Sequence, residues 1–304
     1  MRTSVVIPTY NAGDDMPRLL AVLRAQKPSP PDEILAIDSG SRDQTCQHVR
    51  DAGGKVIEYR EPFNHGLTRD AGIRASSGEI VLLTVQDAVP ASDEWLARVV
   101  AHFSDPKVAG VTTRQIPPLD GPLELKIKAD LDAREGVQRV TLADHEDYAK
   151  YTPAQKIELY RFDNVCSALR RSVWEQIPFG ACRYAEDYQW AKKALEAGHA
   201  IVRDPSAPMI HAHRRSFCYE FRRGLLDAWV LDEAFGYRYS FLKKLNRVKM
   251  LAAGASDKKS GGRSEAFKTY SAHAMARCMY GCWRWTLKPL GLGRGAMESF
   301  TRGI

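Results

Sequence analysis

Two textures alternate along the first third of the chain. Short unbroken apolar runs are followed by longer stretches in which apolar residues recur every three or four positions. SVVIP (Ser4–Pro8), EILAID (Glu33–Asp38), KVIEY (Lys55–Tyr59), EIVLLTV (Glu79–Val85) and VAGVTT (Val108–Thr113) belong to the first kind. SVVIP is of the kind that predicts a strand buried on both faces, and the others read as further strands. Between them, MPRLLAVLRAQ sets Met16, Leu19, Leu20 and Leu23 on one side of a helix. SRDQTCQHVRDAGG places Ser41 and Gln44 at capping-box spacing and stops at Gly53-Gly54. LTRDAGIRASSG and SDEWLARVVAHF predict two more helices. This βαβα rhythm predicts an α/β fold: a mostly parallel central sheet with helices on both faces.

From Pro117 to Phe162 the rhythm is lost, and LELKIKADLDAREG (Leu123–Gly136) predicts a helix in a polar stretch. FDNVCSALRRSVWEQI returns to strand, turn and helix. YAEDYQWAKKALEAGH predicts a helix with Trp190, Ala191, Ala194 and Leu195 inward and Gly198 as its stop. From Ser216 onward the pattern is helical, broken by GASDKKSGGRSE (Gly254–Glu265), which reads as a flexible link.

Composition narrows the class. With 304 residues, 44% hydrophobic and 27% charged, the chain can bury a real core, in one large domain or two small ones. No run of about eighteen apolar residues predicts a membrane span. The N-terminal MRTSVVIPTYN reads as a first strand and not as a signal peptide, so a cytoplasmic protein is expected. The six cysteines form no CxxC pair; they are expected to be reduced and mostly buried, with no zinc site. The net charge of +7 is uneven: Ser216–Ile304 carries 16 Lys and Arg against 7 Asp and Glu. A basic tail suits an anionic surface and argues against a nucleic-acid-binding protein, whose basic faces would run throughout.

The candidate chemistry gathers where the predicted strands end. There is no GxGxxG after the first strand and no Walker A, which disfavours dinucleotide and P-loop sites. Instead Pro8-Thr9-Tyr10-Asn11 ends strand one, Asp38-Ser39 ends strand two, Arg69 follows strand three, and Gln86-Asp87 ends strand four. Each has a plain reading as turn, cap or surface residue. Together, at the carboxyl edge of a parallel sheet, carboxylates and a guanidinium suit a nucleotide and its phosphates.

The segments VVIPTYN, IDSGSRDQT, FNHGLTRDAGIRASSGEIVLLTVQDAVPASDEWL, NVCSALRR, YAEDYQWAKK and HAHRRS resemble family 2 glycosyltransferases of the GT-A fold, and within them the bacterial rhamnosyltransferase-like branch. The likeness covers residues 3 to about 224. It implies a catalytic domain over 1–215, with a nucleotide-binding half to about 115 and an acceptor-binding half over about 116–215, followed by a helical region at 216–304. It implies that Pro8, Thr9, Tyr10 and Asn11 hold base and ribose, that Asp38 accepts from a pyrimidine imide N–H, and that Arg69 lies near the diphosphate. Asp87 matches the last Asp of the DxD motif, the ligand of a divalent Mg²⁺ or Mn²⁺; the first Asp is replaced by Val85, with Gln86 between. A second ligand is expected at His211 or His213, either of which also reads plainly as a surface histidine. Glu186-Asp187 reads plainly as acids at a helix N-terminus. In the family's pattern Asp187 is the general base, with Glu186 its neighbour or the alternative base. Asn164 and Ser167 are expected acceptor or donor-sugar contacts, or simply a satisfied turn.

The resemblance therefore implies an inverting glycosyltransferase that uses a nucleotide-sugar donor such as dTDP-rhamnose. Its acceptor would be a saccharide or lipid-linked oligosaccharide in surface polysaccharide synthesis. A UDP-hexose or UDP-N-acetylhexosamine donor is the competing expectation. A degenerate sugar-nucleotide-binding module, suggested by Val85, is the non-enzymatic one. The aromatic and basic tail reads either as helices packed on the core or on a second copy in a homodimer, or as a peripheral contact with the inner membrane face.

Overall fold

The computed structural model describes residues 1–118, 133–182, 184–213, 216–238 and 261–286, together with Gly295. The five early apolar runs are strands: β1 (Thr3–Thr9), β2 (Glu33–Asp38), β3 (Lys55–Glu58), β4 (Ile80–Thr84) and, after the two-residue β5 (Val89–Pro90), β6 (Val108–Thr112). β1 pairs in parallel with β2, from Ser4 opposite Glu33 to Thr9 opposite Asp38, and with β4 on its other side. β9 (Cys166–Arg170) lies antiparallel between β4 and β6. β10 (Ala200–Arg203) continues the sheet parallel to β6, and β8 (Gln138–Val140) closes it antiparallel, giving the order β3-β2-β1-β4-β9-β6-β10-β8. A separate three-stranded sheet joins β5, β11 (Met209–Ile210) and β7 (Gln115–Ile116).

The chain leaves β1 toward β2 and β3 and then returns to β4 on the opposite side. The carboxyl ends of β1 and β4 therefore flank a topological switch point, where such sheets bind ligands. The sheet and its helices enclose one apolar core that includes Val5, Ile7, Leu82, Trp95 and Val111. Met16, Leu19, Leu20 and Leu23 of α1 (Met16–Arg24) are buried as their spacing predicts. Each such aliphatic side chain contributes roughly 1.5–3 kcal/mol. Val85 packs against this core, which gives the missing DxD aspartate an apolar job.

Several expectations are corrected. Ser41 and Gln44 form no capping box: α2 (Thr45–Asp51) starts later, and the Ser41 hydroxyl donates to Asp38 instead. Asp43 takes the turn, accepting from the Thr45 N–H at 3.0 Å and from its hydroxyl. Of the cysteines, Cys166 and Cys182 are buried, whereas Cys218 and Cys278 are exposed, so "mostly buried" does not hold. The helix expected at 123–136 falls largely outside the described residues. The link expected at Gly254–Glu265 is helical from Gly261 onward, and its earlier part is outside the described residues.

The described residues of the first compact unit end at Ala212; the second comprises the helices that follow. In that second unit α8 (Phe217–Phe235) and α9 (Gly261–Thr286) pack along one another, burying Leu225, Leu226, Trp229, Ala272, Ala276, Tyr280 and Trp283. Asp232 is the polar hub of this pair: it accepts from the Tyr280 hydroxyl at 3.0 Å and the Arg238 Nε at 3.2 Å, and it pairs with Arg284. Among the described residues no helix is long and apolar enough to cross a membrane.

Candidate active site

The loops at the carboxyl edge are tied to one another before any ligand is considered. Asp38, 4% exposed at the end of β2, takes hydrogen bonds at both oxygens. Oδ1 accepts from the Thr9 and Ser41 hydroxyls, at 3.1 and 2.5 Å; Oδ2 accepts from the Gly40 and Ser41 N–H groups, at 3.0 and 2.8 Å. Burial pushes this carboxyl up, and the donors from Ser41, Gly40 and Thr9 outweigh it, so Asp38 sits below the usual carboxylate range. A carboxylate has about four acceptor positions. An imide N–H could bind Asp38 only by displacing one of these donors.

Ser39 donates its N–H to the Thr9 carbonyl at 3.0 Å. Asn11 adopts a left-handed φ of 47°, receives the Arg42 N–H on its Oδ1 at 2.9 Å and donates its own N–H to Ser41 Oγ at 2.9 Å. Gln86 grips the backbone of Tyr10 at both ends, accepting from its N–H at 2.8 Å and donating to its carbonyl at 3.2 Å. Gln86 thus braces the first loop, and Tyr10, 57% exposed, is open to stacking. Pro8 and Thr9 are the last residues of β1, with Thr9 buried against Asp38.

Beside this edge lies a cluster of a different kind. β11 pairs with β5 so that Ile210 faces Val89, which brings the next residue, His211, toward Asp87. His211 Nε2 lies 3.4 Å from Asp87 Oδ1. His213 joins them: one ligand atom from each of the three residues falls within 4.8 Å of the others. Carboxylate oxygen with imidazole nitrogen is a donor set that suits a divalent transition ion and suits the all-oxygen preference of Mg²⁺ less well. Behind the cluster, His211 Nδ1 meets Gln115 Oε1 at 2.7 Å, and Gln115 Nε2 donates to Asp163 Oδ2 at 2.5 Å.

Asp163 leads directly to the second pair of acids. The backbone N–H of Asn164 reaches Asp187 Oδ2 at 3.5 Å, and the Asn164 side chain donates to Glu186 Oε1 at 3.1 Å. Both acids open α7 (Glu186–Glu196), whose preceding residue, Ala185, is left-handed at φ 57°. Glu186 is buried and ion-paired with Arg69 Nη1 at 3.0 Å. Arg69 comes from α3 (His65–Ala75) and is itself only 5% exposed, with its Nε buried and unpartnered. Arg69, expected near the diphosphate, has its charge committed to Glu186. Of the two readings of Asn164 and Ser167, the geometry matches the satisfied turn. They are 1% and 0% exposed, the Ser167 hydroxyl donating to Asn164 Oδ1 at 3.1 Å, so they support Glu186 from behind and present nothing to a sugar.

The two acids are driven apart electrostatically. Burial would raise Glu186, but the Arg69 charge, the His65 ring and the Asn164 amide hold it below the usual range. Asp187 is pushed well above that range by burial first, then by the negative charges of Glu186 and Asp163; the Tyr188 N–H opposes this. Neighbouring carboxyls split in this way divide into a fixed anion and a proton acceptor. Of the two, Glu186 holds its charge and Asp187 takes a proton the more readily.

The segment that delivers these acids is fastened to α3. Asp70 accepts from Trp174 Nε1 at 2.7 Å and from the Phe179 and Gly180 N–H groups at 3.1 and 2.8 Å. Asn64 caps α3 through the Leu67 N–H and also takes the Cys182 N–H, both at 3.1 Å. Gly66 permits the contact: a β-carbon there would lie 2.1 Å from the Gly180 carbonyl oxygen. Neither Asp70, Gly66, Gln115 nor Asp163 carries a sequence signal of its own. Each matters through a partner 48 to 114 positions away in the sequence.

The comparisons with known proteins fit this geometry. The model of "Glycosyl transferase family 2" matches residues 4–177. This chain is a family 2 glycosyltransferase. It is 30% identical over 230 residues to the O-antigen chain rhamnosyltransferase RfbN of Salmonella typhimurium, covering 73% of this chain and 70% of that one. It is 27% identical to WbaN of Salmonella anatum, also an O-antigen chain rhamnosyltransferase, over 72% and 69% of the two chains. Among solved structures, the glycosyltransferase resembles the mannosyltransferase PcManGT of Pyrobaculum calidifontis in complex with GDP-Man and Mn²⁺ (TM-score 0.56, 18% identity, 99% of this chain and 84% of that one). It also resembles S. aureus TarS 1-349 in complex with UDP (TM-score 0.54, 18% identity, 92% and 91%). The fold is therefore GT-A, as the strand pattern and the resemblance led one to expect.

Proposed function

We propose that this enzyme transfers a sugar, with inversion, from a nucleoside-diphosphate donor to a saccharide or lipid-linked acceptor of a surface polysaccharide. The observation that carries the reading is the divided acid pair, Glu186 held as an anion by Arg69 and Asp187 raised in basicity at the head of α7. A sugar hydroxyl is a weak acid, so its attack on the anomeric carbon needs a carboxylate to take its proton as the new C–O bond forms. Asp187 takes that proton. The bond from the anomeric carbon to the diphosphate oxygen breaks on the opposite face, which inverts the configuration. Tyr10, with its backbone braced by Gln86, stacks on the base, and the Asp38 turn shapes the ribose side. Asp87 and His211, with His213, would hold a divalent ion, Mn²⁺ in preference to Mg²⁺ because of the imidazoles. When bound, that ion would neutralise charge on the leaving diphosphate.

The likeness to two rhamnosyltransferases favours a dTDP-deoxyhexose donor, such as dTDP-rhamnose. A UDP-hexose or UDP-N-acetylhexosamine is the second reading. Donor turnover over a panel of nucleotide sugars, with Mn²⁺, Mg²⁺ or chelator, separates them. The proposal expects turnover of dTDP-rhamnose that is lost with chelator and restored best by Mn²⁺. Turnover of UDP-sugars alone would overturn the rhamnosyl donor. We further propose that the basic region from Ser216 to Ile304 meets the anionic inner face of a membrane, close to lipid-linked acceptors.

A further inference from the structure

We infer that Gln115 is a positioning residue: clamped by Asp163, it fixes the proton of His211 on Nδ1, so that Nε2 is the atom presented beside Asp87. The argument is one of donors and acceptors. The Asp163 carboxylate only accepts, and its Oδ1 already takes the Val165 N–H at 2.9 Å. The Gln115 group facing its Oδ2 at 2.5 Å must therefore be the amide NH₂. The other end of that amide is then the carbonyl oxygen, which also only accepts. Because Gln115 Oε1 meets His211 Nδ1 at 2.7 Å, Nδ1 carries the proton. The reversed amide would set an oxygen against the Asp163 carboxylate, so the two orientations are unequal. Nε2, 3.4 Å from Asp87 Oδ1, is then the nitrogen that an ion held by Asp87 would meet.

The backbone holds this arrangement as firmly as the side chains do. β7 and β11 pair in parallel with Gln115 beside Met209, and the His211 N–H donates to the Ile116 carbonyl at 2.9 Å. Arg114, the residue before Gln115, ties its Nε to the Pro205 carbonyl at 2.7 Å. Partners that orient a ligating histidine through its other nitrogen typically change metal affinity 10–100-fold when removed. Here the same Asp163 also lies beside the base, through Asn164 and through its charge on Asp187, so one loop serves both halves of the site. The inference rests on the reading of Asp87 and His211 as metal ligands only for its consequence, not for the proton's position.

The test uses the full chain labelled with ¹⁵N-histidine at about pH 8, above the ordinary histidine range. Long-range ¹H–¹⁵N correlation should show His211 protonated on Nδ1 in the wild type. In Gln115→Leu the ring should shift toward the Nε2–H form, and Mn²⁺ alone, followed by its electron spin resonance, should bind about 10–100-fold more weakly. Gln115→Glu should behave like Gln115→Leu, since two carboxylates then face each other. The double variant Gln115→Glu/Asp163→Asn reverses donor and acceptor across that bond and should restore both the Nδ1–H form and Mn²⁺ affinity. It also answers the case in which a single variant fails to fold. An Nε2–H ring in the wild type, or an unchanged ring in Gln115→Leu, overturns the inference. If the ring behaves as stated but Mn²⁺ binding ignores Asp87→Ala and His211→Ala, the metal reading falls and the role of Gln115 in fixing the tautomer stands.

Discussion

Asp187 and Glu186 are adjacent in sequence and opposite in character, and what separates them is Arg69. The guanidinium stands 3.0 Å from Glu186, and both side chains are less than a tenth exposed. Removing one partner of a buried pair leaves the other charge uncompensated, at a cost of roughly 3–5 kcal/mol. Arg69→Met should lower unfolding stability by about that much in a denaturant titration, and Arg69→Met/Glu186→Gln should recover most of it. Asp187 has the reverse sign. Its folded-state pKa is raised, so the folded protein holds that proton more tightly than the unfolded chain does. The associated stability is present at low pH and is lost as pH rises from the ordinary carboxylate value of about 4 through the raised one. At neutral pH the charged side chain is a burden, and Asp187→Asn should raise Tm, with a gain that grows from about pH 4 upward. The same shift sets catalysis: the acid limb of the kcat/KM profile should lie above the ordinary carboxylate range, since the base must be unprotonated. A limb at about pH 4 would contradict it.

At the scale of elements, the site depends on contacts that adjoining sequence could not announce. The alternating apolar runs predicted β1, β2, β3, β4 and β6, and the helical spacing around Trp190 predicted the buried face of α7, because burial repeats with a local period. Asp87, Glu186, Asp187 and His211 could be named as candidates because they fall within short motifs that resemble the family's. Arg69 could be named as a candidate but not as the partner of Glu186, which lies far along the chain on another element. Gln115 and Asp163 meet only in the folded chain, Gln115 through the pairing of β7 with β11 and Asp163 through its place beside both Gln115 and Asp187. For Asn164 and Ser167 the sequence left sugar contact and satisfied turn both open, because burial, not residue type, decides whether an amide or hydroxyl can meet a ligand. Gly66 makes the dependence on packing testable. Gly66→Ala puts a methyl 2.1 Å from the Gly180 carbonyl oxygen, a clash of backbone with side chain that must push α3 from the 179–182 segment. We expect a stability loss of about 1–3 kcal/mol by thermal or denaturant unfolding, together with a fall in kcat larger than that loss explains at assay temperature.

At the scale of the whole molecule, charge is partitioned: the excess of basic residues lies beyond Ser216, where Asp232 already engages Arg238 and Arg284. If that region meets an anionic surface, the full chain should co-sediment with vesicles containing phosphatidylglycerol and not with neutral vesicles. Binding should weaken as salt shortens the screening length from about 10 Å at 0.1 M toward about 3 Å at 1 M. Equal binding to both kinds of vesicle would remove charge as the cause. The central claim, though, concerns transfer chemistry, and one comparison reaches it most directly: turnover of the accepted donor and acceptor, alongside nucleotide affinity, in the wild type and in Asp187→Asn. The account predicts a fall in kcat of about 10²–10⁴-fold with nucleotide affinity essentially kept. Unchanged turnover in Asp187→Asn would contradict it.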